Sequence, residues 1–284
     1  MLRDLQRRLD LCSINTATLG HRLPIAQTID AIARTGFGAL APWRREVDGR
    51  NVKALARQIR ALGLKVSGYC RSTYIPARDE TTFRANIDDN RRALDQAAEL
   101  GATCFVMVVG SLPAGSKDLA AARAQLHEGT ALLLHYARAV DVALALEPLH
   151  PMYAADRSCL ATLEQALDLC DALDPEAAGG LGVALDVYHV WWDPKLAGQI
   201  ARAGSKRRLL AFHVCDWLVP TRDMLLDRGM MGDGVIDIRQ IRGLIEAAGY
   251  VGPVEVEIFS QQDWWRRSAE ETLSTCAARL QAVC

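Results

Sequence analysis

Val142-Ala-Leu-Ala-Leu-Glu147 and Leu181-Gly-Val-Ala-Leu-Asp186 are the stretches on which the fold turns. Each is a short apolar run that stops at a carboxylate, too short for a helix, and it reads as a fully buried strand. Similar runs recur along the chain. Strands are expected near Leu9–Asn15, Gly38–Pro42, Lys65–Cys70, Cys104–Val109, Val142–Glu147, Gly182–Val187, Leu209–Val214 and Val254–Ile258. Between them lie longer segments with helical spacing of apolar residues, at Thr82–Leu100, Leu119–Ala139, Cys159–Leu173, Asp237–Ala248 and Ala269–Val283. Gly63, Gly101 and Gly249 each follow a helical run and precede a strand, where a residue tolerant of positive φ ends a helix.

Eight strand-plus-helix units share the chain at roughly 35 residues each, room enough for a strand and its crossover helix. The expected fold is therefore α/β, a single (β/α)8 TIM barrel spanning residues 1–284 as one catalytic domain. An open doubly wound sheet is the competitor. The first strand, however, runs into Ser13-Ile-Asn-Thr-Ala-Thr-Leu-Gly20, which has one glycine and no GxGxxG turn.

Composition narrows the function. With 50% hydrophobic and 24% charged residues the chain has ordinary globular material for a large core. Its 33 Lys+Arg against 34 Asp+Glu leave a net charge of -1, so no excess of positive charge favours a nucleic-acid backbone. Apolar runs such as Thr103–Gly110 are far below the roughly 18 residues of a membrane span. The first residues mix charges of both signs without a following apolar segment, and no export signal is read there. Eight cysteines are scattered without any CxxC spacing, as packed, reduced thiols of a cytoplasmic protein would be.

In such a barrel the chemistry sits at the carboxyl ends of the strands. The last four strands end, in order, in Glu147, Asp186, His213 and Glu257. Three carboxylates converging in one barrel mouth raise each other's pKa unless a cation neutralises them, and one divalent metal ion is the simplest remedy. Oxygen-rich ligation with one imidazole suits Mn²⁺ first, and Mg²⁺ or Co²⁺, with Zn²⁺ also compatible.

A second set of polar residues follows the first by about three positions: His150, His189 and Asp216. These are expected at the rim, contacting substrate hydroxyls or orienting the ligands. Arg228 precedes Gly229 and the turn Gly232-Asp-Gly234, and is expected on a flexible loop that closes over the mouth and presents a cation. Trp43 and Arg71 are candidate wall and polar contacts, and Trp43, Tyr69 and Met152 suggest an apolar rim. Trp191-Trp192 and Trp264-Trp265 are divided between core, pocket wall and a possible homo-oligomer contact. His21, His127 and His135 are read as structural or solvent-facing.

The chain resembles the sugar phosphate isomerase/epimerase group of xylose-isomerase-like barrels, whose relatives include ketose 3-epimerases, inosose dehydratases and endonuclease IV. The resemblance runs over nearly the full length. It is strongest at Ala145-Leu-Glu-Pro-Leu-His150, Leu185-Asp-Val-Tyr-His189, Phe212-His-Val-Cys-Asp216, Arg228-Gly-Met-Met-Gly-Asp-Gly234 and Val254-Glu-Val-Glu-Ile-Phe259. It implies that Glu147, Asp186, His213 and Glu257 are metal ligands, that His189 and Arg228 contact substrate, and that Glu147 and Glu257 also carry protons. In the reaction so implied, metal on a keto-sugar stabilises an enediolate, and a carboxylate on each face removes and returns the proton. Epimerisation, aldose-ketose isomerisation and loss of a β-hydroxyl all start from that intermediate. A small sugar or polyol substrate is expected, with a lyase acting on a keto-sugar or keto-cyclitol and a catalytically silent sugar-binding barrel as alternatives. The endonuclease branch is disfavoured: Lys65–Tyr74 and Cys104–Gly110 lack the histidines its three-zinc site needs. No glycine-rich phosphate loop is visible, which favours a non-phosphorylated substrate.

Overall fold

The computed structural model describes residues 2–284. Its strands are β1 (Cys12–Asn15), β2 (Ala39–Ala41), β3 (Lys65–Val66), β4 (Tyr69–Cys70), β5 (Cys104–Met107), β6 (Ala143–Leu146), β7 (Leu181–Asp186), β8 (Leu209–Val214), β9 (Asp216–Trp217), β10 (Arg228–Gly229) and β11 (Val254–Val256). Nine of them form a parallel sheet in the order β3-β2-β1-β11-β8-β7-β6-β5-β4, and β9 and β10 pair as a small antiparallel ribbon. The two ends of that order, β3 and β4, are halves of one expected strand interrupted at Ser67-Gly68. Bridges between Val66 and Ala102 and between Trp43 and Cys70 carry the pairing past the interruption, so the sheet curls into a nearly closed TIM barrel.

The pleat assigns the residues to two sides. Leu144, Leu146, Val183, Leu185, Phe212, Val214, Val254 and Val256 face outward into the large apolar cluster shared with the helices. The residues between them are small: Cys70, Cys104, Val106, Ala145, Ala184 and Ala211 pack together inside the cylinder. Fully burying one aliphatic side chain of the outer layer stabilises the fold by about 1.5–3 kcal/mol. The small inner layer has a different effect. It leaves the upper part of the barrel open for the larger polar groups that come two residues later on the same strands.

One irregularity sets the level of those groups. Val183 pairs with Leu209 but Ala184 pairs with Ala211, so β8 carries one extra residue there and Asp186 comes to lie opposite His213. Helix N-termini are tied by side chains: Asp79 accepts from Thr82 N–H, Asp118 from Ala121, Asp237 from Gln240 and Ser268 from Glu271. The helix expected from Cys159 begins instead at Leu163, after its cap Thr162. Cys159 and Leu160 are held extended by backbone bonds to Gly110 and Leu149. Among the described residues no helix is long and apolar enough to cross a membrane.

Candidate metal centre

Parity carries Glu147, Asp186, His213 and Glu257 inward from the ends of β6, β7, β8 and β11. All four are buried, and one donor atom of each lies within 4.8 Å of the others. His213 Nδ1 is 3.1 Å from Glu147 Oε1 and 3.8 Å from Glu257 Oε2. Among the described residues its other ring nitrogen has no hydrogen-bond partner, and it faces Glu255 Oε1 at 3.5 Å. A carboxylate behind the far nitrogen of an imidazole is the usual backing for a metal-ligating histidine.

Glu255 lies two residues before Glu257 on the inward side of β11, and sequence reasoning passed it over. Its Oε2 accepts from Ser67 Oγ at 2.6 Å, and Asn15 Nδ2 donates to its Oε1 at 3.1 Å. Asn15 also donates to Glu257 Oε1 at 2.8 Å, while its own Oδ1 accepts from Trp43 Nε1 at 2.6 Å. A buried polar floor beneath the ligands thus fixes one oxygen of Glu257.

Arg228 fixes the other. Contrary to the expectation of a mobile loop, its guanidinium is buried, 4.5 Å from the Tyr188 ring centre and 4.8 Å from that of Phe259. Nη1 donates to Asp186 Oδ2 at 2.7 Å and to Glu257 Oε2 at 3.1 Å, and Nη2 lies 3.2 Å from His189 Nε2. The ribbon of β9 and β10 explains the placement. Asp216 Oδ2 accepts from Gly232 N–H at 2.8 Å, and its Oδ1 from Ile236 N–H at 3.0 Å, so its carboxylate ties down the loop that follows Arg228. A Cβ at Gly234 would overlap both the Trp217 carbonyl and the Asp216 carboxylate.

The electrostatics follow from this crowding. Burial pushes the Glu257 carboxyl up, Arg228 and His213 offset it only in part, and its pKa stands at about 8. For Asp186 burial acts in the same direction, but Arg228, then His189 and His213, outweigh it and hold the carboxylate below its usual range. Burial would lower His213, yet Glu255, Glu147 and Glu257 overcome it and hold the imidazole well above its ordinary value. Burial takes His189 down to about 3, so that ring is neutral. Arg228 pairs with two of the buried carboxylates, Asp186 and Glu257; burial is the main cause of the Glu257 shift, while the raised His213 reflects the negative charge that Glu255, Glu147 and Glu257 place around it. The donor set therefore fits a divalent cation, and this buried Glu/Asp/His group can hold one.

Above the group opens a cavity of about 290 Å³. Glu147, Glu257, His189, Arg228, Trp43 and Arg71 line it, as the sequence suggested. His150 and Asp216 do not. The His150 ring stacks on Trp217 at 5.0 Å, and its backbone N–H donates to His189 Nδ1 at 3.2 Å, so it reaches the cavity only through His189. Tyr69 is on the outward side of its strand with its hydroxyl on Gln96, and Met152 is exposed outside the cavity, which removes both from the rim. His21 is a lining residue rather than a solvent-facing one, 3.0 Å from Glu46 and edge-on to Trp43 and Trp265. Arg45, Arg157, Phe259 and Trp265 also line the cavity. Trp265 takes the pocket-wall role the sequence allowed it; of the missed residues, His21, Arg157 and Phe259 lie on loops and Arg45 on the short helix Arg44–Val47, all past the strand ends, where strand periodicity carries no signal.

The profile of the family described as Xylose isomerase-like TIM barrel matches residues 29–276. Protein SMc04130 from Sinorhizobium meliloti 1021 is 55% identical, with 98% of this chain and 99% of that chain covered and a TM-score of 0.94. The IOLI protein with a binding zinc atom is 18% identical, covering 96% and 97%, with a TM-score of 0.79. D-psicose 3-epimerase with D-tagatose, from Clostridium cellulolyticum H10, is 18% identical, covering 94% and 96%, with a TM-score of 0.76. At 18% identity these last two share the fold. No curated protein matches the chain.

Proposed function

The chain belongs to the xylose isomerase-like TIM barrel family, and from its site we propose that it is a divalent-metal-dependent isomerase or epimerase of a small keto-sugar or related keto compound. The observation that carries this reading is the convergence of Glu147, Asp186, His213 and Glu257 on one buried point, with both glutamates also lining the cavity. The likeness to an epimerase and to a zinc-binding barrel of the same fold supports it. Glu147, Asp186, His213 and Glu257 would hold the cation, Mn²⁺ being the first candidate. Bound there, a divalent ion supplies Lewis-acid polarisation of a keto oxygen, which makes the neighbouring C–H acidic.

The chain's own residues account for the rest. Two strands, β7 and β8, separate β6 from β11, so Glu147 and Glu257 enter the cavity from different sides. A planar enediolate lying between them would present one face to each carboxylate, the arrangement that lets one group take a proton and the other return it. Asn15 and Arg228 hold the two oxygens of Glu257, which limits its rotation. Trp43, Phe259 and Trp265 give the cavity apolar wall surface, which would limit the water around such an intermediate.

The test is proton exchange. Protein supplied with Mn²⁺ is incubated in D₂O with a panel of ketoses, and deuterium is sought at the carbon beside the carbonyl. Incorporation without loss of water is expected, and Glu257→Gln should abolish it. A product lacking water would instead make the protein a lyase, and exchange at the normal rate in Glu257→Gln would remove the proton carrier.

A further inference from the structure

The cavity changes character from floor to mouth. At the floor are the buried Glu147, Glu257, His189 and Arg228, and that arginine is already committed to Asp186 and Glu257. Toward the mouth, exposure rises through Arg71 and Arg157, both half-buried, to the exposed Arg45. Among the described residues none of these three is paired with a carboxylate, whereas the adjacent Arg44 is bound to Asp89 at 2.9 Å. Arg71 lies over the Tyr74 ring at 4.7 Å and makes one hydrogen bond, to the Ser72 carbonyl at 3.3 Å. Arg157 lies over the Tyr153 ring at 5.6 Å. Apart from the one bond of Arg71, these ring contacts leave the guanidinium N–H groups without a protein partner among the described residues.

What is missing from the wall matters as much. Among the described residues, Tyr153, His21 and His189 are the neutral hydrogen-bonding side chains of the lining besides the tryptophans; no Ser, Thr, Asn, Gln or Asp joins them, and the two carboxylates are both at the floor. A neutral sugar presents hydroxyls that each donate as well as accept, and it needs partners of both kinds. An arginine rim donates only. It is complementary to a group that only accepts, and its fork geometry matches a pair of anionic oxygens.

We infer that the substrate of this site carries an oxyanionic group, a carboxylate or a phosphate, at the end remote from its keto carbon, and that Arg71 and Arg157, with Arg45 at the lip, select for it. This inference rests on the keto-compound reading above and names its substrate class.

Binding is measured by isothermal titration on the full chain with three probes: D-fructose, 5-keto-D-gluconate and D-fructose 6-phosphate. At least one anion should bind more tightly than D-fructose by roughly tenfold or more, the scale of a single charge-assisted hydrogen bond. Arg71→Gln and Arg157→Gln should each remove about that factor for the anion and leave D-fructose unchanged. The tighter anion identifies the source of the charge. Should either variant fail to fold, the exposed Arg45→Gln retains the test through a smaller loss confined to the anion. D-fructose binding as tightly as both anions, or variants weakening all three probes alike, would overturn the inference. The catalytic reading fails separately: an anion preference without C–H exchange sinks that reading alone, and exchange without anion preference sinks this one alone.

Discussion

Arg228 shows how much a single side chain's role depends on what it meets. From sequence it reads as a loop cation. In the fold it is an internal counterion wedged between Tyr188 and Phe259, bound to two of the four metal-ligand candidates. Arg228→Met leaves Asp186 and Glu257 buried without their partner, and should destabilise the protein by about 3–5 kcal/mol in urea titration. Glu255 makes the complementary case. It touches no expected ligand position in sequence, yet it backs His213. Glu255→Gln should weaken metal binding by roughly 10–100-fold in a chelator competition, with the same thermal midpoint within a few degrees. The four strand-end groups were legible because each terminates an apolar run at a fixed parity. His21, Arg45 and Arg157 were not, since residues beyond the strand ends owe their position to the path of the chain rather than to the strand period.

Along each strand, outer packing and inner chemistry occupy alternate positions, and this is why short runs such as Val142–Glu147 declared both the fold and the site. Leu185→Ala, on the outward side, should cost about 2–5 kcal/mol without moving Asp186, measurable as unchanged metal binding in a less stable protein. The interruption at Ser67-Gly68 and the two-residue strands β9 and β10 escaped sequence reading because two residues define no alternation. At the helix Ile238–Ala247, Glu246 accepts from Arg3 N–H and Nε and from Arg242 Nε. Burial opposes ionisation there, but these donors outweigh it and hold the carboxyl below its usual range. Its contribution is therefore complete above its unfolded value of about 4.3 and is lost as pH falls through the folded one. Glu246→Gln should cost about 1 kcal/mol at neutral pH, and progressively less below about pH 4, in denaturant titrations across that range.

Across the whole molecule the outer apolar layer, which carries most of the packing, is separate from the centre that would hold the cation. EDTA treatment should lower the thermal midpoint by less than about 10 °C while the melt stays cooperative. Small metallo-domains, by contrast, unfold outright when stripped. The buried guanidinium gives that separation a physiological edge. Because it keeps part of the negative charge quenched at all times, a protein emptied of the proposed cation would persist as a refillable receptor, and metal supply would then set how much of the population works rather than how much of it survives.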